Sequence, residues 1–273
     1  GVGSCTITAT VGADAAYKTT LASYTLTVTP KDISGLTATL SKKVYQYAGK
    51  SCKPSVAVAG LNKEDYTVTY RNAKKVGSAT CVVTGTGNYT GKIECPYTIR
   101  LAAAELKTVA NQKSGLSLTW DSVPGAEDYR IYRRTYKGKW QRIGDANSGD
   151  TLTYVDTSAK SGTWYAYRIR ARKGTSFGAY SDAVVTRRLT RPAIAVKERS
   201  YGVAVKWKSI KGAKKYKIYR QEEKGSMKQI GTTTDFYWKD KTARSGYRYV
   251  YTVKAVSGSA QSCAAKRVTI IKK

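Results

Sequence analysis

The stretch Trp120-Asp-Ser-Val-Pro-Gly-Ala-Glu-Asp-Tyr-Arg-Ile-Tyr-Arg-Arg134 returns 87 residues later as Trp207-Lys-Ser-Ile-Lys-Gly-Ala-Lys-Lys-Tyr-Lys-Ile-Tyr-Arg220. A second match, Tyr165-Ala-Tyr-Arg-Ile-Arg-Ala171 against Tyr249-Val-Tyr-Thr-Val-Lys-Ala255, recurs at a spacing of 84 residues. The shorter second spacing indicates that a loop between the two matches has lost three residues. Self-similarity at a nearly fixed spacing predicts that one structural module is used twice.

The amino-acid composition is that of a chain built from strands. Tyrosine is abundant at 22 residues, whereas Phe (2) and Met (1) are scarce, and no apolar stretch has a helical period. Tyr, Val, Ile and Thr favour strands because their side chains pack well on a pleated surface. The length of 273 residues suggests about two domains, but the repeats indicate smaller modules with modest cores. We therefore predict an all-β chain.

Residues suited to catalysis or metal binding are few. Histidine is absent, which removes the commonest general base and the commonest metal ligand. The five cysteines show no CxxC spacing, so no zinc site is predicted. Asp156 and Asp240 occupy matching positions just after Tyr154 and Trp238, and a repeated structural role explains them. We expect no catalytic site, no metal and no cofactor.

Two of the five cysteines fall symmetrically about residue 88 of a predicted hairpin. Cys81 and Cys95 would then face each other across adjacent strands, whereas Cys5, Cys52 and Cys263 have no evident mates. An odd count argues against a fold built on disulfides. We favour buried thiols that act as small hydrophobic side chains.

No targeting or membrane segment is evident in the chain. Nothing approaches 18 consecutive apolar residues, so we expect no membrane insertion. The sequence has neither a signal peptide nor an initiating Met, and we expect it to be an excised piece of a longer protein.

The net charge of +30 is distributed unevenly, with +16 of it in residues 190–273. Such a field attracts polyanions, among them wall teichoic acids, nucleic acid and sialylated or sulfated glycans. A Lys-rich solvated surface remains an equal alternative. The sequence has no RNA-recognition motif and no helix for a major groove, so no specific nucleic-acid binding is expected. The lysines that follow the second Trp repeat indicate diffuse attraction: Lys206, Lys208, Lys211, Lys214 and Lys215.

Residues 1–31 are predicted to be the C-terminal hairpin of an upstream immunoglobulin-like module. Val2–Ala9 and Tyr24–Val28 alternate apolar and polar residues with period two, which indicates two strands. The same pattern closes the next segment at Val76–Val83 and Pro96–Ile99. Because an isolated two-stranded hairpin is marginally stable, we expect it to dock on the following module or on another copy of the chain.

Residues 32–100 are predicted to form a whole β-sandwich, because short strand patterns alternate with Gly and Asn turn signals. The segments Tyr47-Ala-Gly-Lys50, Tyr66–Asn72 and Gly87-Asn-Tyr-Thr-Gly91 resemble a bacterial Ig-like module common in surface proteins of gut Firmicutes. This resemblance covers the whole segment.

Residues 101–189 and 190–273 each resemble a fibronectin type III module. Trp120 and Trp207 stand where that family places its core Trp on the second strand, and the Tyr-x-Ile repeats match its third strand. The resemblance implies that Tyr167 and Tyr251, on the sixth strand, form the tyrosine corner. Because the joints between modules lack Gly/Ser tracts, we predict tandem β-sandwiches in an elongated rod.

Strand parity predicts a row of outward-facing cations. If Tyr129 and Ile131 point into the core, the residues that alternate with them point outward. The same parity holds for Tyr167 and Ile169 on the sixth strand, which neighbours the third strand in this fold. The predicted outward row consists of Arg130, Tyr132, Arg134, Arg168, Arg170 and Arg172.

This row is compatible with a ligand-binding site and with a solvated surface. Like charges opposite one another destabilise a sheet, so folding does not require the arrangement. Arg offers a planar fork suited to carboxylate, sulfate or phosphate. The alternative is a charged surface that keeps β-proteins from pairing with one another. Two further contact candidates are Trp140, near a strand edge, and Trp164, which has outward parity; either could instead cap the end of the sandwich.

These observations predict a non-catalytic segment of a secreted or wall-attached Gram-positive protein that binds a ligand at the cell surface. The expected partner is a host glycoprotein, an immunoglobulin or an acidic wall polymer, and the chain is expected to be monomeric. The main alternative is an accessory region of a secreted wall- or glycan-active enzyme. A spacer that holds another domain away from the wall is a third possibility.

Overall fold

The computed structural model describes residues 1–12 and 20–273. These residues form two compact units, Gly1–Arg100 and Leu101–Lys273. Both units are built from strands, which agrees with the predicted all-β class. Among the described residues the strands pair antiparallel, apart from two parallel pairs in unit 1. No helix among the described residues is long and apolar enough to cross a membrane.

The first strands of unit 1 form a separate two-stranded sheet. Strand β1 (Gly3–Val11) pairs antiparallel with β2 (Thr20–Val28), so the predicted hairpin is present. The sequence also predicts a turn at Gly12–Asp14, of which residues 13 and 14 lie outside the described residues. All nine residues of β1 are exposed, so the hairpin does not pack on residues 32–100, which is the first of the two docking surfaces that the sequence predicts.

The rest of unit 1 is a small sandwich of short strands. Its largest sheet has the order β5-β10-β8-β7, and two further pairs are β4 with β6 and β3 with β9. One turn of 3₁₀ helix, Lys63–Asp65, precedes β7. The strands are β3 (Lys31–Asp32), β4 (Ala38–Leu40), β5 (Val44–Gln46), β6 (Val56–Val58), β7 (Tyr66–Arg71), β8 (Gly77–Gly85), β9 (Tyr89–Thr90) and β10 (Lys92–Arg100).

The core of this sandwich contains three of the five cysteines. Cys81 on β8 lies directly opposite Cys95 on β10, as the symmetry about residue 88 predicts. Both are buried free thiols, and Cys52 is buried in the same core. Burial and the neighbouring Cys95 raise the pKa of the Cys81 thiol to about 11, so it packs as a neutral, small hydrophobic group. Cys5, by contrast, is exposed.

Unit 2 contains the two repeats, which we call module A (residues 101–189) and module B (residues 190–273). In module A a three-stranded sheet has the order β11-β12-β15, and a second sheet has the order β14-β13-β16, with β17 and β18 both paired to β16. The strands are β11 (Leu106–Asn111), β12 (Leu116–Trp120), β13 (Asp128–Thr135), β14 (Gln141–Ala146), β15 (Thr153–Asp156), β16 (Trp164–Lys173), β17 (Ser176–Phe177) and β18 (Val184–Arg187).

Module B repeats this strand order. One sheet is β19-β20-β23, and the other is β22-β21-β24, with β25 and β26 both paired to β24. The strands are β19 (Ile194–Arg199), β20 (Gly202–Trp207), β21 (Lys215–Glu222), β22 (Lys228–Thr233), β23 (Tyr237–Asp240), β24 (Arg248–Ser257), β25 (Ala260–Gln261) and β26 (Val268–Ile271). Each module is therefore a two-sheet β-sandwich, and the two sandwiches have the same topology.

Each module packs its repeated Trp against its repeated Tyr. The ring centroids of Trp120 and Tyr129 lie 5.4 Å apart, and those of Trp207 and Tyr216 lie 5.3 Å apart. All four side chains are buried. The repeat quoted at the outset therefore marks the core that joins the second and third strands of each sandwich.

The tyrosine corner is formed by a different residue from the one predicted. The Tyr165 hydroxyl accepts a hydrogen bond from the backbone N–H of Lys160 at 3.0 Å, five residues upstream. Tyr249 accepts the equivalent bond from the N–H of Arg244 at 2.9 Å. This bond to the upstream backbone defines the corner. Tyr165 and Tyr249 therefore form it, each two residues before the tyrosine that was predicted.

The predicted corner tyrosines instead bind the repeated aspartates. Tyr167 donates to Asp156 Oδ2 at 2.6 Å, and the same oxygen accepts from Arg133 Nη1 at 2.6 Å. Burial opposes ionisation of Asp156, but hydrogen bonds from Tyr167, Ser158 and Arg133 outweigh it and lower the carboxyl pKa. We call Asp156 with Arg133 and Tyr167 the carboxylate hub of module A.

Module B contains an equivalent carboxylate hub at Asp240. Tyr251 donates to Asp240 Oδ2 at 2.6 Å, and Arg220 donates to the same oxygen at 2.8 Å. The backbone N–H and the hydroxyl of Thr242 donate to Oδ1. The repeated structural role predicted for the two aspartates is this hub, which ties the third, fifth and sixth strands together.

Candidate functional site

The outward face of the second sheet of module A carries the predicted row of cations. Along β13 and β16, Arg130 lies opposite Arg170, and Tyr132 lies opposite Arg168. Arg134 follows on the same side of β13, because successive side chains of a strand alternate between its faces. Tyr129 and Ile131, which alternate with these residues, are fully buried on the other face. The sheet thus brings four arginines together on one face.

Arg168 and Arg170 at the centre of this face stack on aromatic rings. The Arg168 guanidinium carbon lies 3.6 Å from the ring centroid of Tyr180 and 4.3 Å from that of Trp140. The Arg170 guanidinium carbon lies 3.9 Å from the ring centroid of Phe177 and 4.8 Å from that of Tyr180. Each such contact contributes about 0.5–1 kcal/mol at an exposed site.

The stack extends to the arginines of the neighbouring strand. Arg130 lies 4.6 Å from the Phe177 ring, and Arg134 lies 5.0 Å from the Trp140 ring. Cations and rings therefore alternate across the sheet. We call this set the Arg–aromatic ladder, and its members are Arg130, Tyr132, Arg134, Trp140, Arg168, Arg170, Phe177 and Tyr180.

The guanidinium groups of the ladder arginines have few hydrogen-bond and salt-bridge partners among the described residues. The Nε atoms of Arg130, Arg168 and Arg170 are buried and make no hydrogen bond with a described residue. All three side chains are nevertheless partly exposed. Within the described part of the chain, no carboxylate forms a salt bridge with these three side chains or with Arg134. The ladder thus presents oriented donors whose charge has no partner among the described residues.

Arg172, at the end of the predicted row, is neutralised by a cross-strand carboxylate. Its Nε donates to Asp128 Oδ1 at 2.9 Å, and its Nη2 bonds Oδ2 of the same group. A further bond runs from Nη1 to the Gly174 carbonyl at 3.0 Å. The hydrogen bonds to Asp128 raise the pKa of Arg172. Arg172 shares the predicted face but stabilises the sheet, and we exclude it from the ladder.

Trp164 also shares this face but stands apart from the ladder. Its ring lies 5.1 Å from the guanidinium carbon of Arg187, which in turn donates to the Gly212 carbonyl and to Ser257 Oγ. These last two residues belong to module B. Trp164 is therefore half-covered where the two modules meet.

A groove of about 560 Å³ lies between Trp164 and the ladder. Its floor is apolar and includes Ala166 and the exposed Val185, and Arg134 lines its ladder side. Tyr136, which is 82% exposed, forms part of its wall. The face therefore offers an apolar recess directly beside the cationic row.

Sequence reasoning missed Phe177 and Tyr180. Both lie after the Gly174–Thr175 turn: Phe177 is the last residue of the short strand β17, and Tyr180 follows it. Strand β17 pairs with the last two residues of β16. The scarcity of phenylalanine could have drawn attention to Phe177, which is one of only two in the chain. Its position beside the arginines, however, depends on how the strand after β16 folds back over them.

Module B has the same backbone register but no ladder. Lys217 lies opposite Lys254, and Tyr219 lies opposite Thr252, as the corresponding ladder positions do in module A. The residue equivalent to Phe177 is Gln261 on β25. On this face of module B, Lys254 Nζ lies 5.6 Å from the ring centroid of Tyr219. The face of module B thus keeps positive charge without stacked, oriented forks.

Other groupings of reactive side chains give no further candidate site. Within the described part of the chain, no group of three or more Cys, Asp or Glu residues could hold a metal ion. The two most deeply hydrogen-bonded carboxylates are the hubs, whose oxygens are occupied by tyrosine, arginine and hydroxyl donors.

Comparison with protein-family models gives no match, and comparison with curated proteins gives none either. Solved structures similar to the chain include the chicken CNTN1 FN1-FN3 domains, at 16% identity and a TM-score of 0.33, over 74% of this chain and 79% of that one. Another is a two-domain fibronectin type-III segment from chicken tenascin, at 16% identity and a TM-score of 0.34, over 63% of this chain and 99% of that one.

Proposed function

We propose that this chain is a non-catalytic segment of a secreted or cell-wall-attached Gram-positive surface protein, and that its Arg–aromatic ladder binds an acidic ligand. The bacterial context is supported by the resemblance of residues 32–100 to Ig-like modules of gut Firmicutes. The extracellular location is supported by the fibronectin type III-like fold of modules A and B. The partner is a host glycoprotein, an immunoglobulin or an acidic wall polymer, and the chain acts as a monomer.

The observation that carries this proposal is the stacking of Arg168 and Arg170. Free arginine side chains lose about 2 kcal/mol of rotamer entropy when they are immobilised. Here the rings of Trp140, Phe177 and Tyr180 already hold the guanidinium planes. A carboxylate, sulfate or phosphate that meets the exposed forks therefore avoids much of that cost, and its paired hydrogen bonds are charge-assisted.

The groove beside Arg134 favours a ligand with an apolar group next to its acid. A carboxylate on the ladder would place such a group over Ala166 and Val185, which line the groove. Glycoproteins and immunoglobulins carry acidic and apolar groups side by side, whereas a polyol phosphate has none to fill the recess. This combination supports a host protein or glycoprotein more than a wall polymer.

The direct test replaces Arg168 and Arg170 together by Lys. Charge is unchanged, but Lys is a point charge that cannot form two parallel bonds or stack as a plane. We expect affinity for the true ligand to fall about tenfold or more, since about 1.4 kcal/mol corresponds to that factor. Binding would be titrated against sialylated host glycoprotein, immunoglobulin and teichoic acid at two salt concentrations.

The matched control is Lys206→Gln with Lys208→Gln, which removes two charges at the end of strand β20 in module B. If the ladder is the site, this control weakens binding only slightly and mainly at low salt. Equal binding by the Arg→Lys variant and the native chain for every partner would show that the ladder is a solvated surface. Circular dichroism and melting curves of both variants check that neither has lost its fold.

A further inference from the structure

The β1–β2 hairpin has one apolar face and one polar face. Its polar face carries Ser and Thr at nearly every position, with Leu21 as the exception. Cross-strand partners place the apolar residues together, for example Ile7 opposite Tyr24 and Cys5 opposite Leu26. The apolar face consists of Cys5, Ile7, Ala9, Val11, Ala22, Tyr24, Leu26 and Val28.

This apolar face is open to solvent. Ile7 is 57% exposed, Tyr24 is 67% exposed and Leu26 is 46% exposed. Among the described residues, the only hydrogen bond from this segment to the rest of unit 1 runs from Val2 N–H to Asn88 Oδ1, at 3.2 Å. A contiguous exposed apolar surface on a two-stranded sheet marks a contact site, since such a hairpin alone is marginally stable.

The same hairpin pattern occurs again in unit 1 with its apolar face buried. Val2-Gly-Ser-Cys-Thr-Ile7 corresponds to Val76-Gly-Ser-Ala-Thr-Cys81, and Tyr24-Thr-Leu26 corresponds to Tyr97-Thr-Ile99. In this second hairpin, β8 with β10, the face equivalent to the exposed one is almost fully buried. Its members are Ala79 at 1%, Cys81 at 0%, Tyr97 at 3% and Ile99 at 1%.

The cover of the β8–β10 face comes from residues 32–71. Ile33, Leu40 and Val58 are buried in the same core as Cys81 and Tyr97, and Leu40 and Val58 lie on the paired strands β4 and β6. Tyr97 also donates its hydroxyl to the Cys52 carbonyl at 2.7 Å. One chain therefore shows both the apolar face and the kind of strands that cover it.

We propose that the apolar face of the β1–β2 hairpin is a docking surface for strands of the kind that residues 32–71 form. The occupant presents alternating apolar side chains, like Leu40 and Val58, and closes a second sandwich over Ile7 and Leu26. Packing against the hairpin of a second copy would bury the same face but leave all strand edges open, which favours further aggregation. A complete set of covering strands leaves fewer such edges.

The test attaches a second copy of residues 32–75 directly before Val2 of the full chain, which reproduces the spacing of the intact sandwich. Hydrogen exchange of the β1–β2 backbone amides is then compared with that of the unextended chain. We expect exchange to slow by roughly 100-fold or more, because the hairpin joins a cooperative unit. Binding of a hydrophobic dye to the chain falls in parallel.

Two matched variants of the extended chain decide the result. Ile7→Asp lies on the apolar face and abolishes the protection, whereas Thr8→Asp lies on the polar face and preserves it. Exchange in β8–β10 is unchanged in both variants, which confirms that the rest of unit 1 is intact. The proposal is overturned if the extension gives no protection, or if both variants lose it equally.

Sedimentation of the unextended chain tests the competing occupant. A dimer that Ile7→Asp dissociates and Thr8→Asp does not would assign the face to a second copy, and would overturn the proposal. A monomer at every concentration, together with protection in the extended chain, supports it. Neither outcome depends on ligand binding by the ladder of module A.

Discussion

Modules A and B share their interior and differ on one exterior face. Both bury a Trp against a Tyr at nearly the same distance, 5.4 Å for Trp120 and 5.3 Å for Trp207. Both hold a buried Asp between a Tyr and an Arg. A repeated glycine completes the match, because a β-carbon at Gly144 or Gly231 would collide with the aromatic ring of the neighbouring fifth strand.

On the outer face of β13 and β16 the correspondence ends. Arg130 and Arg170 become Lys217 and Lys254, and the position opposite Tyr132 changes from Arg168 to Thr252. The rings of Trp140, Phe177 and Tyr180 have no aromatic equivalents in module B. Since module B folds with the same strand order, the ladder is dispensable for the fold. Folding alone therefore does not account for what module A adds on this face.

Substitutions in the shared core should give the largest loss of stability. Replacing Trp120 or Trp207 by Ala removes a buried aromatic side chain and should cost about 3–5 kcal/mol. We expect each variant to unfold its own module and spare the other. Hydrogen exchange, followed separately for β13–β16 and β21–β24, would measure this. Loss of protection in both modules from one substitution would show that they fold as one unit.

The carboxylate hubs should give the next largest effect. Asp156→Asn leaves Arg133 and Tyr167 without their charged acceptor, and breaking such a partly buried pair costs about 3 kcal/mol. Asp240→Asn should cost a similar amount in module B, because its hub has the same geometry. Urea unfolding of both variants tests the equivalence. If only one of the two variants loses stability, the hubs have the same geometry but contribute differently to the free energy of unfolding.

Low pH should lower the stability of both modules, because it protonates the carboxylates of Asp156 and Asp240. Hydrogen bonds outweigh burial and hold the pKa of Asp156 and of Asp240 below the ordinary value. A depressed carboxyl pKa contributes stability that is complete above the unfolded value, about 3.9, and is lost as the pH falls through the folded value. Unfolding midpoints should therefore decline below about pH 4. The Asp156→Asn variant should show a shallower decline in module A.

The smallest effect on stability should come from the ladder rings. Phe177→Ala removes the surface on which Arg130 and Arg170 stack, and should cost module A about 1 kcal/mol. Tyr219→Ala, at a corresponding surface of module B, should cost about 0.5 kcal/mol or less. If Phe177→Ala also lowers the affinity for the acidic ligand, stacking on Phe177 orients the guanidinium groups for binding. Unchanged binding would show that charge alone is sufficient.

Strand patterns in the amino-acid sequence were enough to predict the sandwich fold and the outward row of cations. Side chains alternate strictly along a strand, so once Tyr129 and Ile131 are assigned to the core, Arg130 and Arg134 must point outward. The spacing of the repeats likewise located the second, third and sixth strands of each module. These inferences are local, because each depends only on neighbouring residues of one strand.

Tertiary structure decided which partners those residues meet. Parity could not distinguish Tyr165 from Tyr167 at the corner, since both point inward and only the hydrogen bonds to Lys160 and Asp156 separate them. It could not show that Asp128 neutralises Arg172 from the adjacent strand. Nor could it place Phe177 over Arg170, because that contact is set by how the chain folds back after β16. Interactions between strands arise from register and packing, which the alternation of a single strand does not encode.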